Sequence, residues 1–177
     1  MKTIQLIRGY HAALAVSSVL AYLTGELGLI HAWLGYGVAA IIVLRLGLAL
    51  TGVRQLGLEK FYPSFEGLQL DNALTHPVIS RALLLGIAAS LILTVLTGIF
   101  MDGGKAIGLA DANLVVGSAY ADDGYEHERE GHHDENEFLE EIHELFANLL
   151  LLFVGAHVAY LFLFKRPLAK FMLFMKK

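Results

Sequence analysis

Apolar and polar positions alternate along this chain in blocks, with four long apolar stretches separated by shorter polar segments. The stretches centre on residues 12–23, 38–50, 82–101 and 145–164, and each carries almost no polar side chains. A water-soluble helix of the same length would need a polar face on one side. The pattern therefore predicts four transmembrane helices, each long enough to cross an apolar layer about 30 Å thick.

The segments between the apolar stretches predict how the helices are connected. Gly25 and Gly28 lie between the first two stretches, so we expect a tight turn and antiparallel neighbours. Pro77 follows His76 where a third helix can begin, because a proline is tolerated at the first helical position. We expect an all-α membrane protein with a single domain over 1–177, folded as a four-helix up-and-down bundle. The predicted helices are about 8–26, 29–52, 77–101 and 137–165.

Composition supports a membrane protein and excludes several cofactor types. The 177 residues are 56% hydrophobic and only 17% charged. Lys2 and Arg8 precede the first apolar stretch, as in a signal peptide, but no small-residue cleavage pattern follows, so we expect this helix to be retained. The chain has no cysteine, which excludes disulfides, iron–sulfur clusters and covalent haem attachment. No sequence feature suggests nucleic-acid binding or nucleophilic catalysis.

The distribution of charge predicts the orientation in the membrane. Of 13 Lys and Arg residues, only Lys105 and Arg129 fall on the side that also holds Glu26 and 102–144. That side carries most of the acidic residues, and cytoplasmic ends of membrane proteins carry an excess of Lys and Arg. We therefore expect a multi-pass protein of the bacterial inner membrane, with both termini cytoplasmic and the acidic side periplasmic.

The acidic connection at about 102–136 is long for a helical bundle, and such loops are usually functional or disordered. Its second half is a charged run that includes His127, His132 and His133. A solvated segment that meets a partner is one interpretation. Metal capture by the three histidines is another, although their spacing fixes no coordination geometry.

Four other histidines lie in or at the ends of the apolar stretches: His11, His31, His143 and His157. From the helix directions, His31 and His143 lie near the periplasmic face, while His11 and His157 lie near the cytoplasmic face. Depth therefore pairs His31 with His143 and His11 with His157. A single intramembrane histidine could simply bond a neighbouring carbonyl, but two depth-matched pairs predict axial ligands for two haem irons. His76 has no such counterpart and is interpreted as a helix-entry residue.

A spacing of 14 residues occurs twice and supports this arrangement. It separates His143 from His157, which places them on nearly one face of their helix and about 21 Å apart along it. It also separates His31 from Arg45, so Arg45 is expected to face inward at the depth of the inner pair. There it would either bind a haem propionate or extend its side chain to the membrane surface. Gly35 and Gly155 lie near the ligands, where they would allow close helix approach around a flat macrocycle or ordinary packing of membrane helices.

These segments resemble the bacterial cytochrome b561 family, which includes the b-type subunit of membrane-bound nickel–iron hydrogenases and related di-haem cytochromes. The resemblance covers nearly the whole chain and departs mainly in the acidic loop. It rests on short motifs: Arg8-Gly9-Tyr10-His11, His31-Ala32-Trp33-Leu34-Gly35-Tyr36, Leu44-Arg45-Leu46, Thr97-Gly98-Ile99-Phe100, His143-Glu144-Leu145-Phe146-Ala147-Asn148 and Gly155-Ala156-His157.

The resemblance implies four helices, two non-covalent haems b and axial ligation by the positions matching His11, His31, His143 and His157. We expect electron transfer between the quinone pool and a periplasmic redox protein, such as a c-type cytochrome or an oxidoreductase subunit. Alternatives are a superoxide oxidase that passes electrons to ubiquinone and a histidine-based metal-ion carrier. Candidate groups for quinol protons are Glu26, Glu140 and Glu144 on the outer side, and Arg8, Arg81 and His76 on the inner side.

Overall fold

The computed structural model describes residues 3–50, 76–108 and 131–172 of the chain. All regular structure in these segments is helical, in five α-helices and one short 3-10 helix. Their bounds are α1 Thr3–Leu23, α2 Leu29–Leu50, α3 Pro77–Asp102, α4 Gly131–Phe164 and α5 Arg166–Met172. The first four are long and apolar enough to cross a membrane, over Gln5–Leu23, Leu29–Ala49, Pro77–Asp102 and Glu137–Phe164. The predicted all-helical class and its four membrane-spanning helices are confirmed.

A tight connection reverses the chain between α1 and α2. The Thr24 hydroxyl donates to the carbonyls of Leu20 and Ala21, which closes the end of α1. A single 3-10 turn over Gly25–Leu27 follows, and Gly28 then adopts a φ of 48°, a conformation that favours glycine. The two helices consequently run antiparallel and pack against each other, as the turn residues predict.

Capping residues fix both ends of α3. His76 is the N-cap, and its Nδ1 accepts a hydrogen bond of 3.3 Å from the Val78 amide. Pro77 occupies the first turn, where its missing N–H is harmless. The helix ends at Gly103, which has a φ of 59° and donates its amide to the Ile99 carbonyl. His76 therefore begins a helix, as interpreted from the sequence.

The helix ends differ from the expected bounds mainly at α1 and α4. α1 begins five residues before 8 and ends at Leu23, because Gly25–Leu27 forms the connecting turn. α4 begins at Gly131, six residues before its membrane span at Glu137, since an acidic helix can continue into water without burying an apolar face. The short helix α5 was not expected. Residues 51–75 and 109–130 lie outside the described residues, and with them His127, Arg129 and most of the acidic loop.

Neighbouring helices pack in chain order, and the contact between α3 and α4 is the most extensive. Gly86 on α3 makes this approach close, because a Cβ built there would lie 3.0 Å from the ring carbons of Phe153 on α4. At the C-terminal end, the Arg8 guanidinium stacks 4.6 Å from the ring centroid of Phe171, which joins α5 to α1.

Large apolar side chains lie mostly on the outside of the bundle. Phe100 is 73% exposed and Leu23 is 71% exposed, values that would be unfavourable in water. Among the described residues, the buried hydrophobic side chains are those of Val38, Leu91, Tyr160 and Ala169. The outer surface is therefore suited to lipid, and the helices pack around a small interior.

Candidate functional site

The rings of His31 on α2 and His143 on α4 lie next to each other, with centroids 5.9 Å apart and planes nearly perpendicular, at 88°. These two residues are 112 positions apart in the sequence, so only the folded bundle brings them together. The pairing predicted from helix depth is therefore present in the geometry. We call these two residues the His31–His143 site.

A backbone hydrogen bond fixes the proton of the His31 ring. Its Nδ1 lies 2.9 Å from the carbonyl oxygen of Ala21, near the end of α1. A carbonyl can only accept, so Nδ1 carries the proton and donates it. In the neutral ring the lone pair is then on Nε2, which is the atom left to bind a metal.

The His143 ring contacts α3 at Thr97 and Gly98, two residues of the Thr97-Gly98-Ile99-Phe100 motif for which the sequence predicts no contact with a histidine. Its Nδ1 lies 3.0 Å from the Thr97 hydroxyl oxygen. A Cβ built on Gly98 would lie 3.0 Å from the His143 Cε1 atom, so the ring rests directly on the glycine. α3 therefore holds a residue of α4 in place for contact with α2. A small residue beside a threonine, at the depth of a candidate ligand, is the signal that could have identified this contact.

The second pair lies toward the other end of the bundle, between α1 and α4. His157 is half-buried, and His11, which is exposed, is close enough to it to interact electrostatically. A hydrogen bond of 3.3 Å from the Tyr22 hydroxyl to Asn148 Oδ1 joins the same two helices. From that bond, His11 lies about 16 Å along α1 and His157 about 14 Å along α4, at 1.5 Å per residue. The two histidines therefore lie at similar depth, and we call them the His11–His157 site.

Arg45 lies near this second site. It interacts electrostatically with Tyr10, the residue next to His11. Its Nη1 atom is buried and makes no hydrogen bond with any described residue, and the same is true of Nδ1 of His157. A buried guanidinium nitrogen without an acceptor is costly, so this location is suited to an anionic ligand.

Gly35 and Gly155 do not mediate close helix packing. A Cβ built on either residue would meet no atom within 4 Å. The close approaches between helices occur instead at Gly86 and Gly98 on α3. The expectation of tight helix contact at Gly35 and Gly155 therefore differs from the structure, which has open space beside both residues.

Sequence comparison gives the family. The model described as "Prokaryotic cytochrome b561" matches residues 5–175, nearly the whole chain. The chain belongs to the prokaryotic cytochrome b561 family. No curated protein and no solved structure matches the chain closely enough for comparison. As a member of this family, the chain is a multi-pass membrane cytochrome that binds b-type haem and transfers electrons.

The geometry of the His31–His143 site fits a haem iron. Two imidazole rings with centroids 5.9 Å apart are close enough to bind one metal ion together, and His31 is held with Nε2 available to bind it. The absence of cysteine leaves non-covalent binding through histidine, in agreement with a b-type cytochrome.

Arg45, near the His11–His157 site, is suited to another part of a haem, its propionate groups. A haem carries propionates, and the buried Arg45 Nη1 is an N–H donor suited to a carboxylate. Gly155 is two residues before His157 and therefore lies on a different face of α4, where a Cβ would meet no atom within 4 Å. The chemistry of both sites is thus compatible with the cofactor of this family.

Proposed function

We propose that this cytochrome carries two haems b, one at each histidine pair, and transfers electrons across the membrane between the quinone pool and a periplasmic redox protein. The observation that supports the proposal best is the close approach of the His31 and His143 imidazole rings, with centroids 5.9 Å apart. A second histidine pair lies on the same bundle, toward its other end. Two sites at different depths suit a protein that conducts electrons from one membrane face to the other.

Each residue has a separate part in this proposal. His31 and His143 would hold one haem iron through their imidazole nitrogens, and His11 and His157 would hold the other. Bound haem would supply one-electron redox chemistry. Arg45 would bind a propionate through Nη1, while Gly35 and Gly155 leave room beside their helices.

α4 joins the two sites, because it contributes one histidine to each. His143 and His157 are 14 residues apart, about 21 Å along the helix axis. The Tyr22–Asn148 hydrogen bond holds α1 against α4 between the two depths. Because His143 and His157 belong to the same helix, the distance between the two sites is fixed by α4.

The charge distribution supports the proposed orientation, with the His31–His143 site on the periplasmic side. The acidic segment on that side would attract a partner with a basic surface. To test this, residues 122–137 can be replaced by a neutral linker, and electron transfer to a basic c-type cytochrome measured at several salt concentrations. A weaker and less salt-dependent rate is expected. An unchanged rate and salt dependence would rule out this docking segment.

The central experiment is a reduced-minus-oxidised spectrum of the purified chain, with haem and protein quantified independently. We expect two haems per chain, and reduction by added quinol in reconstituted membranes. One haem per chain would contradict the two-site proposal, and full haem content without quinol-dependent reduction would contradict the quinone assignment. Superoxide in place of quinol tests the alternative of a superoxide oxidase, which predicts haem reduction by superoxide and reoxidation by ubiquinone.

The alternative of a metal-ion carrier has less support. Within residues 3–50, 76–108 and 131–172, no group of three His, Cys, Asp or Glu side chains is placed to hold a metal ion. His127 lies outside the described residues, as do the side chains of His132 and His133. Zinc or copper binding by haem-loaded protein, lost when these three histidines are replaced, would revive this alternative.

A further inference from the structure

We propose that Thr97 is a positioning residue for His143 and that its hydroxyl sets the reduction potential at the His31–His143 site alone. The inference rests on the proposed function in one respect, namely that His143 binds a haem iron. It goes further because it gives a role to α3, which provides neither histidine of the pair. A residue of α3 would control how basic the His143 ligand of α4 is.

The hydrogen bonds of Thr97 determine which partner donates. Its oxygen lies 2.9 Å from the Leu93 carbonyl and 3.0 Å from the Thr94 carbonyl, and the hydroxyl has a single proton to give to these acceptors. The Thr97 oxygen then has lone pairs left to accept. His143 Nδ1, 3.0 Å away, is the donor in that case.

This assignment also identifies the atom of His143 that can bind a metal. With the proton on Nδ1, the lone pair of the neutral ring is on Nε2, available to the metal. This is the same tautomer that the Ala21 carbonyl imposes on His31. Both rings of the pair are thus prepared to ligate through Nε2.

Contact with Gly98 fixes the remaining freedom of the ring. Its Cα lies so close to His143 that an added Cβ would be 3.0 Å from Cε1. The ring is therefore held on one side by the surface of α3 and at one nitrogen by Thr97. Adjacent positions on one helix thus set both the proton and the rotation of a ligand on its neighbour.

The other site lacks this arrangement in the part of the chain that the structure describes. Nδ1 of His157 is buried and has no hydrogen-bond partner there. An acceptor at Nδ1 makes an imidazole a more basic ligand, and a more basic ligand favours the oxidised iron. Removing the Thr97 hydroxyl should therefore raise the reduction potential at the His31–His143 site and leave the other potential unchanged.

The test is a redox titration of the purified, haem-loaded chain followed in its optical spectrum, with electron paramagnetic resonance of the oxidised protein as a second readout. Thr97→Val removes the hydroxyl at nearly constant volume, and Thr97→Ser retains it. The matched control is Thr94→Val, which removes a hydroxyl that donates to the Ser90 carbonyl 2.8 Å away. All variants are measured as full-length protein.

We expect Thr97→Val to make one of the two midpoint potentials more positive, by up to about 59 mV. For one electron, that shift corresponds to a tenfold change in the relative stability of the two oxidation states. One low-spin ferric signal should shift with it. Thr97→Ser and Thr94→Val should match the unmodified protein. Unchanged midpoints in Thr97→Val, or an equal shift in Thr97→Ser, would overturn the proposal.

The experiment also distinguishes failure of haem loading in a variant from failure of the two-site function. If Thr97→Val does not load haem, Thr97→Ala decides, because it removes the hydroxyl without adding a branched side chain, and unchanged midpoints there overturn the proposal. If the unmodified chain itself shows fewer than two haems, the two-site function has failed independently of Thr97. Two haems with midpoints indifferent to Thr97 would refute the positioning role alone.

Discussion

His31 and His143 meet edge to face, with ring planes at 88° and centroids 5.9 Å apart. Each ring is oriented by a different helix, since the Ala21 carbonyl of α1 accepts from His31 and Thr97 of α3 contacts His143. Four helices thus cooperate at one pair of imidazoles. Substituting either residue should affect one site and spare the other.

The first prediction concerns the independence of the two pairs. His143→Ala should abolish one haem and leave the other, because in the proposed arrangement only one iron would lose a ligand. His157→Ala should do the same for the other haem, and the double variant should bind none. The measurement is haem content per chain with a reduced-minus-oxidised spectrum.

His76→Ala is a suitable control for these variants. It removes a histidine that caps α3 and accepts from the Val78 amide, so it should cost about 1 kcal/mol of helix stability and no haem. Loss of both haems in either single ligand variant, with the control intact, would mean that the two sites do not form independently.

Much of the fold could be predicted from the sequence because a lipid environment imposes simple rules. The lengths of the apolar stretches predict the number of membrane spans, and the glycines between the first two stretches predict that α1 and α2 are antiparallel. The depths of the histidines in the membrane pair His31 with His143. The partners on α3 could not be predicted in this way. A helix that is apolar all round gives no pattern that indicates its rotation. Thr97 and Gly98 belong to a motif of the family resemblance, but that motif does not predict that they contact His143.

The glycines illustrate the same limit. Gly35 and Gly155 were selected because they lie near histidines in sequence, yet open space lies beside both. Gly86 and Gly98 make the close contacts, and neither is near a ligand along the chain. Whether a side chain of a neighbouring helix packs against a given glycine depends on helix rotation and tilt, which arise from packing across the whole bundle.

The second prediction compares the two close glycines. Gly98→Ala places a Cβ 3.0 Å from His143 Cε1, so the ring must move, and we expect loss or a spectral shift of one haem. Gly86→Ala places a Cβ equally close to the Phe153 ring, about 15 Å along α4 from His143, so it should lower the thermal stability of the bundle and leave the haem at the His31–His143 site unchanged. Identical spectral effects from both variants would show that general loosening, and not ring displacement, is responsible.

The third prediction concerns Arg45. Replacing Arg45 with glutamine removes a positive charge beside the proposed propionate, which should lower one midpoint potential and weaken haem retention about tenfold. The sign is opposite to that expected for Thr97→Val, so the two effects can be distinguished in one titration. Arg166→Gln is the control, because Arg166 is exposed and donates from Nε to the Phe162 carbonyl 3.0 Å away. Equal effects of both arginine variants would contradict a specific contact.

The last prediction concerns the end of α3, where Asp102 accepts two hydrogen bonds through the same oxygen. The Tyr36 hydroxyl donates at 2.8 Å and the Ala106 amide at 3.0 Å, so one carboxylate joins α2, α3 and the turn after α3. Hydrogen bonds to a charged group contribute more than neutral ones, and partial exposure reduces the contribution, so Tyr36→Phe should cost about 1–2 kcal/mol of unfolding free energy.

Tyr22→Phe is the control, because it removes an exposed hydroxyl that bonds a neutral amide at 3.3 Å, and it should cost less than about 1 kcal/mol. Denaturation in a fixed detergent compares the two, and in the Asp102→Ala background the cost of Tyr36→Phe should nearly vanish. A Tyr22→Phe cost equal to that of Tyr36→Phe, or full additivity with Asp102→Ala, would show that this carboxylate does not anchor the helix end.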